Sequence, residues 1–178
     1  PDFVRIYPVL VIENTELADQ YRAGEYEPLS TEQAITYCAF LKDWFERHNI
    51  EVIRTGLQST EELDSGNSLV AGPYEPAMGE LVVNEQYKQR IERCINEHIE
   101  SFINKELSQW NIWGQANTFI ALNIGVFYPR SLTSKVRGLK NRNMLYFQEK
   151  YPHVNINWYE DSTRNTVRCC IDGLQYVL

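Results

Sequence analysis

A dense group of basic residues between Arg130 and Arg142 is the clearest candidate for chemistry in this sequence. Five Lys or Arg side chains fall within these thirteen residues, with no acidic residue among them. Such side chains bind the phosphate oxygens of nucleic acids. The group therefore predicts a nucleic-acid contact. The alternative is a solvated basic loop on an ordinary α/β appendage.

The four cysteines do not show the spacing of a metal or redox site. CxxC and Cys/His motifs are absent, and no two histidines have ligand spacing, so reduced thiols are expected. Cys38 and Cys94 lie on the apolar sides of helical patterns and are predicted to be buried. Alternation along residues 166–171 predicts that Cys169 is buried and Cys170 partly exposed. A disulfide between these two neighbours would be strained.

Charge is divided unevenly along the 178 residues. Residues 1–110 hold 9 Lys/Arg and 20 Asp/Glu, whereas residues 111–178 hold 8 and 4. The length suits one compact domain or two small ones, and the asymmetry suggests two regions with different surface partners. We place two domains at residues 1–82 and 83–178. No apolar run reaches the roughly 18 residues that a membrane-spanning helix needs.

The first half of the chain reads as a parallel βαβ unit. A Val- and Ile-rich strand is predicted at residues 3–12 and a short helix at 15–23. Ser30 and Gln33 form a capping box that begins a helix ending near His48, and a second strand follows at 51–57. Two strands do not make a stable sheet alone. We therefore expect the last unit of a larger α/β barrel or sheet. The family resemblance given below implies a partial TIM-type barrel, with an exposed edge that permits dimerisation.

The remaining segments predict an α+β extension. Residues 58–75 are polar and glycine-punctuated and read as a loop. A long amphipathic helix follows, with Phe102 and Ile103 on its buried side. The later elements are a strand at 117–128, helices at 131–137 and 141–150, and strands at 154–159 and 166–171.

Several blocks of the first half occur together and in order: VRIYPVLVIENTELADQYRAGEYEPLS, EVIRTGLQSTEEL and LVAGPYEPAMGELV. They resemble the C-terminal part of the radical S-adenosylmethionine (SAM) domain in the family of the Elongator catalytic subunit and the oxygen-independent coproporphyrinogen III oxidases. The resemblance implies a parent enzyme that holds a [4Fe–4S] cluster on a CxxxCxxC motif and cleaves SAM to a 5′-deoxyadenosyl radical. This chain has no such motif. We therefore expect no cluster and no catalysis in it alone, and its principal partner would be the missing N-terminal barrel of the same polypeptide.

The resemblance also implies which residues line a pocket. The carboxyl ends of barrel strands carry the chemistry, which makes Glu13, Asn14, Arg54 and Gln58 candidates for a substrate or SAM pocket. Alternatively, these residues serve turn formation. The AGPYEP block is expected to act as a rigid strap, and its Tyr74 and Glu75 could reach the pocket.

The C-terminal pattern of strand, helix, RGLKNRN, helix and two strands is similar to a KH-type RNA-binding unit, in which a GxxG loop clamps the nucleic-acid backbone. Asn141 replaces the second glycine here; asparagine tolerates a positive φ but adds a side chain. The residues implied in RNA or tRNA binding are Lys135, Arg137, Gly138, Lys140 and Arg142.

Three functions follow. The first is the C-terminal portion of a cytoplasmic radical SAM oxidoreductase or modification enzyme, with tRNA as one possible substrate, in which this chain supplies pocket wall and substrate binding. The second is a KH-like RNA-binding module without catalysis. The third is a free-standing protein whose acidic half binds a protein partner.

Overall fold

The computed structural model describes the backbone of residues 1–113, 123–171 and 173–178, and their side chains apart from 102–113. The chain divides into two compact units, Pro1–Gln86 and Tyr87–Leu178. Helix α4, Met78–Trp113, contributes to both. The domain boundary after residue 82 stays a prediction. None of the described helices combines the length and the apolar character that crossing a membrane requires.

The first unit contains the predicted parallel βαβ arrangement. Strand β1, Phe3–Ile6, lies parallel to β3, Glu51–Thr55, and between them run α1, Glu16–Arg22, and α2, Thr31–Arg47. The capping box at the start of α2 is confirmed. The Ser30 hydroxyl accepts a hydrogen bond from the Gln33 amide (3.2 Å), and the Ser30 amide donates to the Gln33 side chain (2.9 Å).

Two predictions for this unit are wrong in detail. Residues 3–12 are not one strand: β1 ends at Ile6 and a separate short strand, β2, follows at Val11–Ile12, beyond Pro8. The segment 58–75 is not only loop. It contains α3, Glu61–Asp64, and β4, Leu69–Ala71, which pairs antiparallel with β2. Strands of two and three residues are too short to produce a recognisable period in the sequence.

The core of the first unit lies between α2, the start of α4 and one face of the β1–β3 pair. Its buried members are Ile6, Cys38, Ala39, Met78 and Val82. Large apolar side chains remain outside it. Phe3 is 54% exposed and Ile53 is 43% exposed on the two strands, and α2 exposes Tyr37, Phe40 and Trp44.

The second unit is built on a four-stranded sheet in the order β6-β5-β7-β8. Its elements after α4 are β5, Asn123–Tyr128; α5, Thr133–Arg137; α6, Arg142–Lys150; β6, Asn155–Glu160; β7, Arg168–Ile171; and β8, Leu174–Val177. Strands β5 and β6 are parallel, and β7 is antiparallel to both β5 and β8. The sequence did not predict β8. Residues 117–122 of the predicted strand, and the side chains of Phe102 and Ile103, lie outside the described part.

One face of this sheet forms the core with α4, α5 and α6. Ile124, Val126 and Tyr128 of β5 pack there with Cys169 and Ile171 of β7. The predicted alternation in β7 is therefore confirmed, since Cys169 is buried and Cys170 is partly exposed. Cys38 and Cys94 are also buried, as predicted, and all four thiols are free.

Candidate functional sites

A small pocket lies at the carboxyl ends of β1 and β3. Pro8 and Leu10 line one side, and the remaining lining residues are Gly56, Leu57, Pro73, Tyr74, Glu75 and Met78. Gly56 follows β3 and donates its amide hydrogen to the Ile6 carbonyl (2.9 Å), which joins the two strand ends. The pocket thus lies where the chemistry of an α/β barrel is expected.

None of the four pocket candidates from the sequence is among the residues that line this pocket, and two of the four contact each other. The Arg54 guanidinium donates a hydrogen bond to the Gln58 side-chain oxygen (3.2 Å). Glu13 forms an ion pair with Arg22 (2.6 Å), and Asn14 adopts the left-handed conformation, with φ 60°. In the part of the chain that is described, no hydrogen bond links Glu13 or Asn14 to Arg54 or Gln58.

Three side chains form a hydrogen-bonded group at the edge of the pocket: Ser59, Asp64 and Tyr74. The Tyr74 hydroxyl and the Ser59 hydroxyl both donate to the Asp64 carboxylate. These bonds, first from Ser59 and then from Tyr74, lower the pKa of Asp64 below its ordinary value. The sequence predicts that the AGPYEP block is a strap from which Tyr74 could reach the pocket, and Tyr74 does line it. Asp64 lies in α3, within the segment 58–75 that the sequence predicts to be loop.

The RGLKNRN loop is a tight turn organised around Gly138. Gly138 has φ +75° and is buried against Asn143, whose side-chain amide donates to the Val136 carbonyl (3.0 Å). A Cβ atom at position 138 would lie 2.9 Å from the Asn143 side-chain oxygen. Asn141 has φ 61°, the positive value that the sequence suggested it would tolerate. Gly138 therefore serves packing within the fold.

The four cations around this loop are not equivalent. Arg137 is half-buried, donates from Nε to the Tyr128 hydroxyl (2.5 Å) and lies over the Tyr128 ring, so it supports the second unit internally. Lys135, Lys140 and Arg142 are exposed. Among the described residues, neither Lys140 nor Arg142 has an ion-pair partner. Lys140 and Arg142 are therefore the cations best placed to meet an external anion.

The cysteines do not fit a [4Fe–4S] cluster. Such a cluster takes its ligands from several thiolates at one place. The first unit has Cys38 alone, buried on α2. In the second unit Cys94 and Cys169 are hydrogen-bonded to each other, but Cys170 points to the opposite face of β7, so no more than two thiols meet at one place. Across residues 1–113, 123–171 and 173–178, no group of three or more His, Cys, Asp or Glu side chains is arranged to hold a metal ion.

Comparison with known proteins gives one family and two relatives. Residues 1–89 match the Radical_SAM C-terminal domain. Two curated proteins named tRNA uridine(34) acetyltransferase are similar, one from Methanocaldococcus jannaschii (34% identical over 96 residues) and one from Methanocaldococcus infernus (33% over 96 residues). The match covers 53% of this chain and 17% of each relative. The search of solved structures gave no significant match.

Proposed function

The chain belongs to the Radical_SAM C-terminal domain family, and we propose that it forms the C-terminal part of a radical SAM enzyme that modifies tRNA. The observation that carries this proposal is the family match over residues 1–89, which contains the whole parallel βαβ unit and the pocket at its strand ends. The similarity to two tRNA-acting proteins supports tRNA as the substrate and a cytoplasmic location.

The exposed apolar surface of the first unit supports a position within a larger barrel. Parallel strands are ordinarily covered on both faces and flanked by further strands. Among the described residues, β1 and β3 each pair with one strand only. Phe3 and Ile53 on these strands, and Tyr37, Phe40 and Trp44 on α2, are exposed. Burial of this surface against the N-terminal barrel of the same polypeptide would account for its apolar character. The competing arrangement is a dimer, in which the edge of this strand pair contacts a second copy of the chain.

In this proposal the chain contributes binding to the reaction. The [4Fe–4S] cluster and the SAM-cleaving chemistry belong to the remaining part of the polypeptide, because the thiols here do not fit the cluster. Arg54, oriented by Gln58 at the end of β3, is positioned to bind an anionic group of SAM or substrate. Glu13 and Asn14 follow β2 but do not line the small pocket, and their contact with substrate stays a prediction.

Arg54→Ala is expected to lower turnover by about ten- to a hundredfold, because one charge-assisted contact at the strand end contributes roughly 1.5–3 kcal/mol. The assay uses a chimaera of the Methanocaldococcus jannaschii relative, in which residues 1–89 of this chain replace the corresponding segment. Product formation on tRNA is measured under saturating and subsaturating SAM.

Glu51→Ala in the same chimaera is the matched control. Glu51 is also exposed and lies on β3, but at its amino end, away from the pocket. The activity of the chimaera that carries Glu51→Ala is expected to stay within about twofold of that of the unmutated chimaera. Equal losses for Arg54→Ala and Glu51→Ala, or no loss for either, would contradict the assignment of a pocket to the carboxyl ends of the strands.

A second function, RNA binding by the second unit, is supported by the exposed cations at the RGLKNRN turn. Lys140 and Arg142 flank the left-handed Asn141, and Arg142 begins α6. Residues 111–178 carry an excess of basic side chains, 8 against 4 acidic ones. The second unit would then hold RNA or tRNA in a KH-like, non-catalytic role. It could do so whether or not the first unit has an enzymatic role.

Lys140→Glu combined with Arg142→Glu is expected to lower tRNA affinity about tenfold at low salt. The slope of log affinity against log salt should also fall by about 2, since two phosphate contacts are lost. Arg137 is excluded from the variant because it supports the fold. Fluorescence anisotropy with a labelled tRNA transcript measures both quantities, and unchanged affinity and slope would refute this binding role.

A further inference from the structure

The four-stranded sheet of the second unit has a second face, which does not belong to its core. Side chains alternate along each strand, so this face carries one set of residues from all four strands. In the described part of the chain these are Asn123, Gly125 and Phe127 on β5; Asn155, Asn157 and Tyr159 on β6; Arg168 and Cys170 on β7; and Gln175 and Val177 on β8. None of them is a member of the core cluster or packed against it. We call this set the open sheet face.

Two aromatic rings lie side by side on the open sheet face. Phe127 and Tyr159 are directly opposite each other on β5 and β6, and their rings stack with centroids 4.9 Å apart and planes 22° apart. Tyr159 is 47% exposed. Phe127 is half-buried, so Tyr159 presents the exposed ring of the stacked pair. Such a ring is a surface on which a nucleobase can stack, because every base has a flat π-face.

Glycine at position 125 allows this arrangement. A Cβ atom there would lie 2.7 Å from the Phe127 ring and 3.6 Å from the Tyr159 ring. Both rings therefore lean over the same glycine, and a side chain at 125 would displace Phe127. Glycine weakens a strand interior and often marks a close approach of another group, which at this position is the Phe127 ring.

Arg168 holds the other side of Phe127. Its guanidinium lies 5.9 Å from the Phe127 ring centroid and is fixed by Asp161 (2.5 Å) and by the Gln175 side-chain oxygen (3.1 Å). Arg168 is only 7% exposed. The guanidinium and the two rings thus form a preorganised stack, so little side-chain entropy is lost when a base joins it.

The chemistry around the stack suits single-stranded nucleic acid. Asn157 on β6 presents an amide group that can donate and accept hydrogen bonds at base edges. Asn155 donates to the Asn123 side-chain oxygen (3.0 Å) and offers its own oxygen as an acceptor, whereas Gln175 accepts from Arg168 and offers its amide hydrogens as donors. The connections leaving the Phe127 end of the sheet carry Arg130 and Arg164, both exposed. Of the two acids at this end, Asp161 forms an ion pair with Arg168. Glu160 is exposed and accepts a hydrogen bond from the Thr133 hydroxyl (3.1 Å), so the two cations outnumber the one carboxylate that has no ion pair among the described residues.

We propose that the open sheet face binds single-stranded RNA, with a base stacking on the Tyr159–Phe127 pair. This inference rests on the proposed RNA-related function but assigns the contact to a surface distinct from the RGLKNRN turn. Bases meet the open sheet face, whereas Lys140 and Arg142 meet phosphates only. Unpaired tRNA nucleotides are the substrate class that this surface accepts, and a duplex, whose bases are already stacked, is not.

The test compares a fluorescein-labelled single-stranded RNA of about twelve nucleotides with the duplex formed from it, by anisotropy on the full 178-residue chain. Tyr159→Ala is expected to weaken single-strand binding about tenfold and to leave duplex binding within about twofold. Because no charge changes, the salt slope should stay constant. Tyr159→Phe keeps the ring and should bind as the parent does.

Two further variants keep the outcome interpretable. Tyr176→Ala removes a similarly exposed tyrosine on β8 that lies on the opposite face, and it should leave binding unchanged. Gly125→Ala displaces Phe127 without changing charge and should weaken single-strand binding as Tyr159→Ala does. Circular dichroism establishes that each variant is folded.

The possible failures are distinguishable. If Tyr159→Ala and Gly125→Ala bind single strands as the parent does, while Lys140→Glu with Arg142→Glu does not, the turn is the binding site and the open-face proposal is overturned. If the parent chain binds neither single strand nor duplex, RNA binding by the second unit fails altogether. Equal weakening by Tyr176→Ala would also overturn the proposal.

Discussion

Gly56→Ala is expected to lower the free energy of unfolding of the first unit by roughly 2–4 kcal/mol, which combines backbone strain with a steric clash. Gly56 has φ +79°, a conformation that L-residues adopt at a cost. A Cβ atom there would lie 2.6 Å from Cβ of Met78, the first residue of α4, which is 2% exposed. Because a Cβ is attached to the backbone, Met78 cannot turn away by changing rotamer.

Gly24→Ala separates the two contributions. Gly24 has nearly the same φ, +75°, but a Cβ there would meet no atom within 4 Å. This control should cost only the backbone term, about 1–2 kcal/mol. Hydrogen exchange at increasing urea, followed in peptides that cover β1 and β3, measures the change within the first unit. Equal destabilisation by the two substitutions would show that the Gly56–Met78 approach is not tight.

The second large effect is expected at Glu92, where the second unit ties α4 to α6. The Glu92 carboxylate accepts hydrogen bonds from the Tyr146 hydroxyl (2.8 Å) and from the Lys150 ammonium. Tyr151 also approaches Glu92 but has a closer acceptor in Asn96 (2.7 Å). Glu92→Ala removes the shared acceptor and leaves a half-buried Tyr146 hydroxyl without it, which should destabilise the unit by roughly 2–3 kcal/mol.

This cost should depend on pH in a defined direction. Burial raises the pKa of Glu92, but the hydrogen bonds from Lys150 and Tyr146 outweigh it and hold the pKa below its usual value. The stabilisation is therefore complete above the pKa of an unfolded glutamate, about 4.3, and is lost as pH falls through the lower folded pKa. The difference in stability between parent and Glu92→Gln should shrink between pH 7 and about pH 3.

Glu100→Ala serves as the control for Glu92. Glu100 is exposed on the same helix and should change stability by less than about 0.5 kcal/mol. Urea denaturation at several pH values provides the free energies of unfolding. A Glu92→Gln effect that persists unchanged at pH 3 would mean that the charge of Glu92 does not contribute, and that packing alone joins the helices.

Local signals in the sequence predicted the parts of the fold that depend on neighbouring residues. The Ser30–Gln33 capping box is one such signal, and the alternation that buries Cys169 is another. Contacts between distant residues left no such signal. Glu92 and Tyr146 are 54 positions apart, and the approach of Gly56 to Met78 depends on how β3 meets α4.

The candidate sites divide in the same way. Strand ends follow from the local pattern of apolar residues, so polar residues that come after a strand can be placed from the sequence. Arg54 and Gln58 are placed near the end of β3 in this way. The sequence could not predict that Arg137 donates a hydrogen bond to the Tyr128 hydroxyl, or that the rings of Phe127 and Tyr159 stack. The register of parallel β5 and β6 determines that stack, and register depends on the whole sheet.

The most direct test of the central claim is the activity of the unmutated chimaera, in which residues 1–89 of this chain replace the corresponding segment of the Methanocaldococcus jannaschii relative. If these residues close a radical SAM barrel that acts on tRNA, the chimaera should modify tRNA within about tenfold of the relative's own rate. A chimaera that folds and carries its full complement of iron, yet binds tRNA without forming product, would contradict the account.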